Sequence, residues 1–362
     1  MTHAASRAPL LEVTDDGLYC RAGDFWIDPW RPVDRAVVTH AHADHARPGS
    51  RAYLGAEAGR GVLRTRLGPD ATLELSGWGE IRRMNGVAIS LHPAGHILGS
   101  AQVRVEHGGE VWVVTGDYKR RTDPTTTPFE SLRCHTLVTE STFGLPVYRW
   151  PDPDAEMREV ARWWASNRAA GRTSILFGYS LGKAQRLLAG LPRDLGPILV
   201  HGAVARLNES YRAAGVDLPD TLPADLEHAK LHRGRAMVVA PPSAGGTPWL
   251  RKFGAVSTAF ASGWMRIRGT RRRRSGDRGF VISDHADWDA LLTTVRESGA
   301  ERVGVTHGYR ATLVRYLREV EGLDAWALPT PWEDRAESEA ESQADSEADS
   351  EVASEVDSEV EA

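Results

Sequence analysis

His40-Ala41-His42-Ala43-Asp44-His45 places three imidazoles and a carboxylate within six residues. Imidazole nitrogen and carboxylate oxygen are the donors that hold zinc and, in carboxylate-rich sites, manganese. Residues 36–39, just before, are apolar or β-branched, so the run begins where a short buried strand passes into a loop. Side chains alternate along an extended chain, which puts His40 and His42 on one side. The next turn swings Asp44 and His45 to a neighbouring point. One loop thus offers donors to two metal ions.

Three further donors lie downstream in matching settings. His96 sits in the 93–100 loop after the alternating run 87–91. Asp117 follows the apolar run 111–115 and Gly116, and His307 follows 303–306 and precedes Gly308. Each is a strand running out into a metal-capable side chain beside a glycine, which is how α/β layers place chemistry at strand ends. With the first loop they complete a seven-residue, two-metal set.

This order of motifs resembles the metallo-β-lactamase superfamily. Val138-Thr139-Glu140-Ser141-Thr142-Phe143-Gly144 resembles the acidic motif that opens its β-CASP nuclease branch. Ser283-Asp284-His285-Ala286-Asp287 and Thr306-His307-Gly308 resemble the second and third motifs of that branch, and residues 177–185 resemble another of its segments. Over about residues 10–330 the chain is similar to the bacterial ligase-associated DNA exonucleases.

The resemblance implies an α/β fold, an αββα sandwich carrying an inserted β-CASP α/β domain. It implies a first metal on His40, His42 and His96, a second on Asp44, His45 and His307, and Asp117 bridging both. Zinc is the first choice and manganese the alternative. Two such ions lower the pKa of a shared water, so the implied reaction is in-line attack of a metal-bridging hydroxide on phosphorus. Asp44 and Asp117 would serve the reaction as well as the metals. His285 would be the general acid, oriented by Glu140, because a carboxylate beside imidazole favours its protonated form.

Around these motifs the chain changes character. Residues 10–145 alternate short strands (10–13, 17–21, 25–27, 36–39, 87–91, 101–107, 111–115, 136–139) with Gly, Pro and Asp turns, and one helix is expected over 55–67. A helix over 155–170, capped by Asp154, then opens an alternation of strands (174–177, 198–200, 237–240) and helices (182–191, 205–214). That alternation implies a mostly parallel sheet covered by helices. Helices 288–298 and 311–321 flank a last strand, 303–306. The expected division is 1–148 for the first part of the metallo-β-lactamase domain, 149–278 for the insertion, 279–332 for the return, and 333–362 for an acidic, disordered tail.

Charge sharpens the substrate reading. The tail carries thirteen acids against Arg335 alone; with a total of −5, the rest of the chain is near +7. A basic body suits a polyanion. Arg266, Arg268, Arg271, Arg272, Arg273, Arg274 and Arg278 precede His285 and could track a phosphate backbone through bidentate contacts. Ser180 and Lys183, at an expected helix start after Gly182, could hold a substrate phosphate. Trp249, Trp264 and Trp288 could stack on bases, whereas Trp163 and Trp164 read as packing residues.

Other classes fall away. No run of 18 apolar residues occurs, so no membrane span is expected, and residues 1–7 do not read as a secretory signal. Two distant cysteines, Cys20 and Cys134, make no disulfide framework and suit a reducing cytoplasm. The expected activity is DNA exonuclease action in repair, in functional association with an ATP-dependent DNA ligase. The alternative is the same chemistry on RNA. A small-ester hydrolase would leave the arginines and the Glu140–His285 pair without a purpose, and a binding module would not need all seven donors.

Overall fold

The computed structural model describes residues 9–267 and 277–330. Arg268, Arg271, Arg272, Arg273, Arg274 and the tail 333–362 lie outside these residues. Among the described residues the strands form three sheets. The first follows chain order: Glu12–Thr14 (β1), Gly17–Cys20 (β2), Phe25–Ile27 (β3), Arg35–Val37 (β4), Ala52–Ala56 (β5) and Leu73–Ser76 (β6). Its later pairings are parallel, and the helix Arg60–Leu67 (α1) makes the crossover from β5 to β6. The second sheet starts with Arg82–Met84 (β7), Val87–Pro93 (β8), Ala101–His107 (β9), Glu110–Val114 (β10) and Thr136–Glu140 (β11).

The third sheet contains Thr173–Phe177 (β12), Ile198–Val200 (β13), Leu222–Pro223 (β14), Met237–Ala240 (β15), Val256–Ala261 (β16) and Arg278–Phe280 (β17). Its order is β14-β13-β15-β12-β16-β17 and its pairings are parallel, as the strand–helix alternation implied. The helices Pro153–Ala169 (α2), Lys183–Gly190 (α3), Gly202–Ala213 (α4) and Leu226–Leu231 (α5) belong to this stretch. The chain then returns through Trp288–Ser298 (α6), Arg302–Thr306 (β18), Arg310–Glu319 (α7) and Asp324–Ala327 (β19). There β18 pairs parallel to β11, and β19 to β18.

Alternation fixes which face each strand buries. Val87, Ile89 and Leu91 of β8, with Trp112 and Val114 of β10, pack on Phe25, Ile27, Val37 and Leu54 of the first sheet. Val113, one residue out of phase, joins Leu137, Val303 and Val305 against Leu291, Val295, Leu313 and Leu317 of α6 and α7. On the outer face of the first sheet, Ala36 and Tyr53 meet Val62 and Leu63 of α1 and, beyond them, Trp163, Trp164, Leu187, Val204 and Tyr211 from α2–α4. The layers are therefore helix, sheet, sheet, helix, an αββα sandwich, and the third sheet joins it through its own helices. Each aliphatic side chain fully buried here contributes about 1.5–3 kcal/mol.

Two local expectations are corrected. The helix expected over 55–67 begins only at Arg60, because Ala52–Ala56 is drawn into the first sheet between β4 and β6. Asp154 does not cap α2; Asp152 does, its side chain accepting from the Asp154 N–H, with Pro153 in the first turn.

Gly308 closes the turn after β18 with a φ of 63°, and any Cβ there would run into the Ser141 carbonyl oxygen. Only glycine is at ease in both respects. Gly308→Ala should lower stability by about 1–3 kcal/mol, read as a lower urea midpoint. An unchanged midpoint would mean that this turn is not tightly held.

Candidate metal centre

Strand register builds the site. Val114 pairs with Val138 and Glu140 with Thr306, so the carboxyl ends of β10, β11 and β18 lie along one edge. Asp117, Glu140 and His307 emerge there from three distant parts of the sequence. The loop after β4 comes to the same edge, because the Ala101 N–H donates to the Thr39 carbonyl at 2.8 Å. Gly116, with a φ of 55°, allows the close approach: a Cβ on it would stand 2.6 Å from the Thr39 Cβ. His307 itself holds a left-handed φ of 51°, a cost that a side chain other than glycine accepts where its direction matters.

The seven expected donors gather into two adjoining groups, His40, His42, His96 and Asp117 in one, and Asp44, His45 and His307 in the other. Asp117 joins them: its Oδ2 lies 3.4 Å from His40 Nε2, 3.4 Å from His45 Nε2 and 3.8 Å from His96 Nε2. A third group, Asp117, Glu140 and His285, shares the same corner.

Hydrogen bonds on the far side of each ring fix which nitrogen faces inward as a lone pair. The Thr39 hydroxyl donates to Asp28 Oδ2 at 2.6 Å, since a carboxylate only accepts. His40 Nδ1, 3.0 Å from that hydroxyl oxygen, must then carry the proton. His42 Nε2 donates to the Leu181 carbonyl at 3.2 Å, and His96 Nδ1 to the Asp284 carbonyl at 2.9 Å. Three unprotonated nitrogens therefore converge, His42 Nδ1 lying 3.1 Å from both His40 Nε2 and His96 Nε2. Facing lone pairs repel unless a cation lies among them. Two bonds of about 2.1 Å at a tetrahedral angle would set their donors about 3.4 Å apart, close to these separations. The residues present fit a bound metal.

The electrostatics agree. Burial holds His40 below its ordinary value, His42 down at about 3 and His96 well below the usual range, so all three rings are neutral at neutral pH. Burial alone would raise Asp117, but the charged His45 ring overrides it and keeps that carboxyl well below the usual range. Asp44 is likewise lowered against burial, chiefly by His45. His45 is the counterpart. Burial opposes its charge, yet Asp44, Asp117 and Asp28 raise it well above the ordinary value. Its Nδ1 is held by Asp28 Oδ2 at 2.7 Å, while its buried Nε2 has no hydrogen-bond partner. With no cation in the site, a proton on His45 answers the surrounding carboxylates.

Glu140 is fully buried and is oriented by the Tyr118 N–H, which donates to its Oε1 at 2.8 Å. His285 Nδ1 donates to Glu140 at 3.0 Å and 3.2 Å, directing the rest of the ring to the cavity it lines with His42, His96, Asp117, Phe143 and Trp264. A second cavity, on the side of His45 and His307, is walled by Leu18, Ile27, Trp30 and Leu328.

The expected substrate contacts fare differently. Lys183 is buried, and its ammonium is engaged by Asp284 at 2.8 Å and the Ile282 carbonyl at 2.9 Å, so it does not present a free cation to a phosphate. Burial pushes it down to about 8. Ser180 is buried one loop away, its carbonyl accepting from Gln185. Arg266 is exposed beside the Val147 carbonyl, and Arg278 pairs with Glu159. Trp264 lines the cavity, Trp288 is core between α6 and α7, and Trp249 packs on Phe253. Sequence reasoning missed Asp28, Asp284 and Arg186. Asp284 stood inside a motif already singled out, whereas Asp28 offered no signal beyond its place at the end of a strand.

A probable DNA ligase of Opitutus terrae is 32% identical over 314 residues, 86% of this chain and 30% of that protein. The transcription termination factor FttA of Lokiarchaeum is 29% identical over 45% of the chain and 27% of its own length. The endoribonuclease ysh1 of Emericella nidulans is 33% identical over 29% of the chain and 12% of its own length. With these likenesses, the donor set and the layered fold, the family is decided. The chain belongs to the β-CASP branch of the metallo-β-lactamase superfamily. It spans less than a third of the length of each of these relatives. No family model matches this β-CASP chain. A crystal structure of a protein of unknown function from Enterococcus faecalis shares the fold, with a TM-score of 0.51 and 12% identity over 75% of this chain and 74% of that one. Among the described residues no helix is long and apolar enough to cross a membrane.

Asp28 holds the Thr39 amide, the Thr39 hydroxyl and His45 together. Asp28→Ala should cost about 1–3 kcal/mol in urea unfolding. It should also weaken zinc binding by about 10–100-fold in chelator competition. Undiminished zinc affinity would show that His45 needs no such support.

Proposed function

We propose that the chain is a metal-dependent phosphodiesterase acting on nucleic acid, most at home on DNA ends as an exonuclease. One observation carries the reading: two donor groups that share Asp117 lie in the same corner as the Glu140–His285 pair. A pair of divalent cations held there, zinc before manganese, would supply an activated water and neutralise charge growing on a phosphate. His40, His42 and His96 would hold one cation, and Asp44, His45 and His307 the other, with Asp117 between them.

The remaining work falls to the chain itself. Glu140 fixes the His285 ring through Nδ1, which leaves Nε2 as the nitrogen to give a proton to the departing oxygen. Phe143 and Trp264 wall the cavity beside it and limit water there. Arg266 and the neighbouring arginines would meet the polymer backbone. DNA is favoured because the relative covering most of this chain is named a probable DNA ligase, which also supports action alongside ligation. RNA is the second reading, favoured by the endoribonuclease relative.

Purified protein should carry roughly two zinc equivalents, and His307→Ala roughly one. His285→Ala should keep its metal while cleavage slows by roughly 10²-fold or more. Loss of metal from His285→Ala would instead make that ring a ligand. Matched DNA and RNA strands labelled at either end separate the two substrates: faster release of mononucleotides from DNA supports the first reading, and preferential RNA cleavage overturns it.

A further inference from the structure

Five charged side chains, Lys119, Lys183 and Asp284 buried and Asp123 and Arg186 half-buried, gather beside the site, with Lys183 and Asp284 reaching the wall of its cavity. Lys119 pairs with Asp123, and Arg186 Nε lies 3.8 Å from the same carboxylate. Arg186 Nη1 then donates to Asp284 Oδ1 at 2.9 Å and to the Ser283 carbonyl. Lys183 Nζ completes the chain on Asp284 Oδ2 and the Ile282 carbonyl. Both Lys183 and Arg186 belong to α3, the helix that follows β12 of the third sheet, whereas Lys119 and Asp123 follow β10 of the second.

The focus of these contacts is the backbone of residues 282–284. The Asp284 carbonyl is the acceptor that fixes the His96 ring with Nε2 inward. The next residue is His285, whose ring meets Glu140. One residue position therefore sets the direction of one donor of the first group and the starting point of the proposed acid. Taking five charges largely out of water is costly, and apolar side chains would join α3 to this segment with less desolvation. What an ionic network adds is direction, because its hydrogen bonds are satisfied in one arrangement only.

We propose that Lys183 and Arg186, acting through Asp284, are positioning residues: a clamp by which the third sheet's α3 sets the orientation of His96 and His285. The clamp rests on the reading that cations occupy the paired donor groups. Arg186 does not touch a donor ring itself; it holds the carboxylate whose main chain does. Lys183, which the sequence suggested for a substrate phosphate, belongs here instead.

The test compares full-length Arg186→Met, Asp284→Asn and Arg186→Lys with Leu187→Ala, a buried apolar control on the same helix. Zinc affinity is measured by chelator competition at a temperature where each variant is folded, and cobalt-loaded protein gives the visible spectrum of the metal environment. Arg186→Met and Asp284→Asn should each bind zinc about 10-fold or more weakly and alter the cobalt spectrum. The double variant should lose little more than either single one, and Arg186→Lys should recover part of the loss. Leu187→Ala should lower the unfolding midpoint with zinc affinity intact. Normal zinc affinity and an unaltered spectrum in Arg186→Met and Asp284→Asn, or losses that add in the double variant, overturn the clamp. Failure of the unmodified protein to bind zinc, cobalt or manganese overturns the metal reading instead.

Discussion

The parallel pairing of β10, β11 and β18 is the constraint from which the site follows. Parallel strands point their carboxyl ends the same way, and the register from Val114 through Val138 and Glu140 to Thr306 brings three such ends level. Asp117, Glu140 and His307 are separated by up to 190 residues in sequence yet share one edge. A slip of one residue would turn every side chain of a strand to the opposite face. Here both faces are packed, with Trp112, Val114 and Val138 toward the first sheet and Val113, Leu137 and Val305 toward α6 and α7. The apolar core thus enforces the register, and the register delivers the donors.

Packing alone would not gather five imidazoles and two carboxylates into so small a volume. The rings His40, His42 and His96 are neutral because burial makes their charged forms costly, and their outward nitrogens are committed to Thr39, Leu181 and Asp284. Asp44 and Asp117 stay charged because His45 stands between them. The arrangement leaves lone pairs converging and one imidazole, His45, holding a proton among carboxylates. A divalent cation removes both sources of strain at once. The folded chain is in this sense arranged to receive a cation, and the core around it holds that arrangement in place.

The donors were legible in the sequence because their chemistry is local: three histidines and an aspartate in six residues, then single donors beside Gly95, Gly116 and Gly308. Strands 25–27, 101–107, 198–200 and 237–240 were equally plain, each a compact apolar or alternating run between turns. What escaped depends on tertiary partners. Gly55 and Ala56 read as the start of a helix until β4 and β6 bracket the strand they belong to. Leu73–Ser76 and Val256–Ala261 are weakly patterned and become strands because parallel neighbours supply their hydrogen bonds. Asp28 has no motif around it, and its role exists only where Thr39 and His45 come within reach.

Lys183 shows why residue type and local position mislead most at the boundary between two layers. A lysine after Gly182 at a helix start has the local marks of an anion site, and the helix dipole would favour one. The side chain turns instead toward the Ile282 carbonyl and Asp284, because an unpaired buried ammonium would cost more than a short helix end could return. Asp284 offers the nearest carboxylate, and Arg186 supplies a second cation on the same helix face. The charged groups of α3 thus join it to the segment that follows β10 and to residues 282–284. On the proposed function, contact with a polyanion would fall to exposed guanidinium groups such as Arg266, where the ordinary hydration of a surface charge makes binding reversible and sensitive to salt.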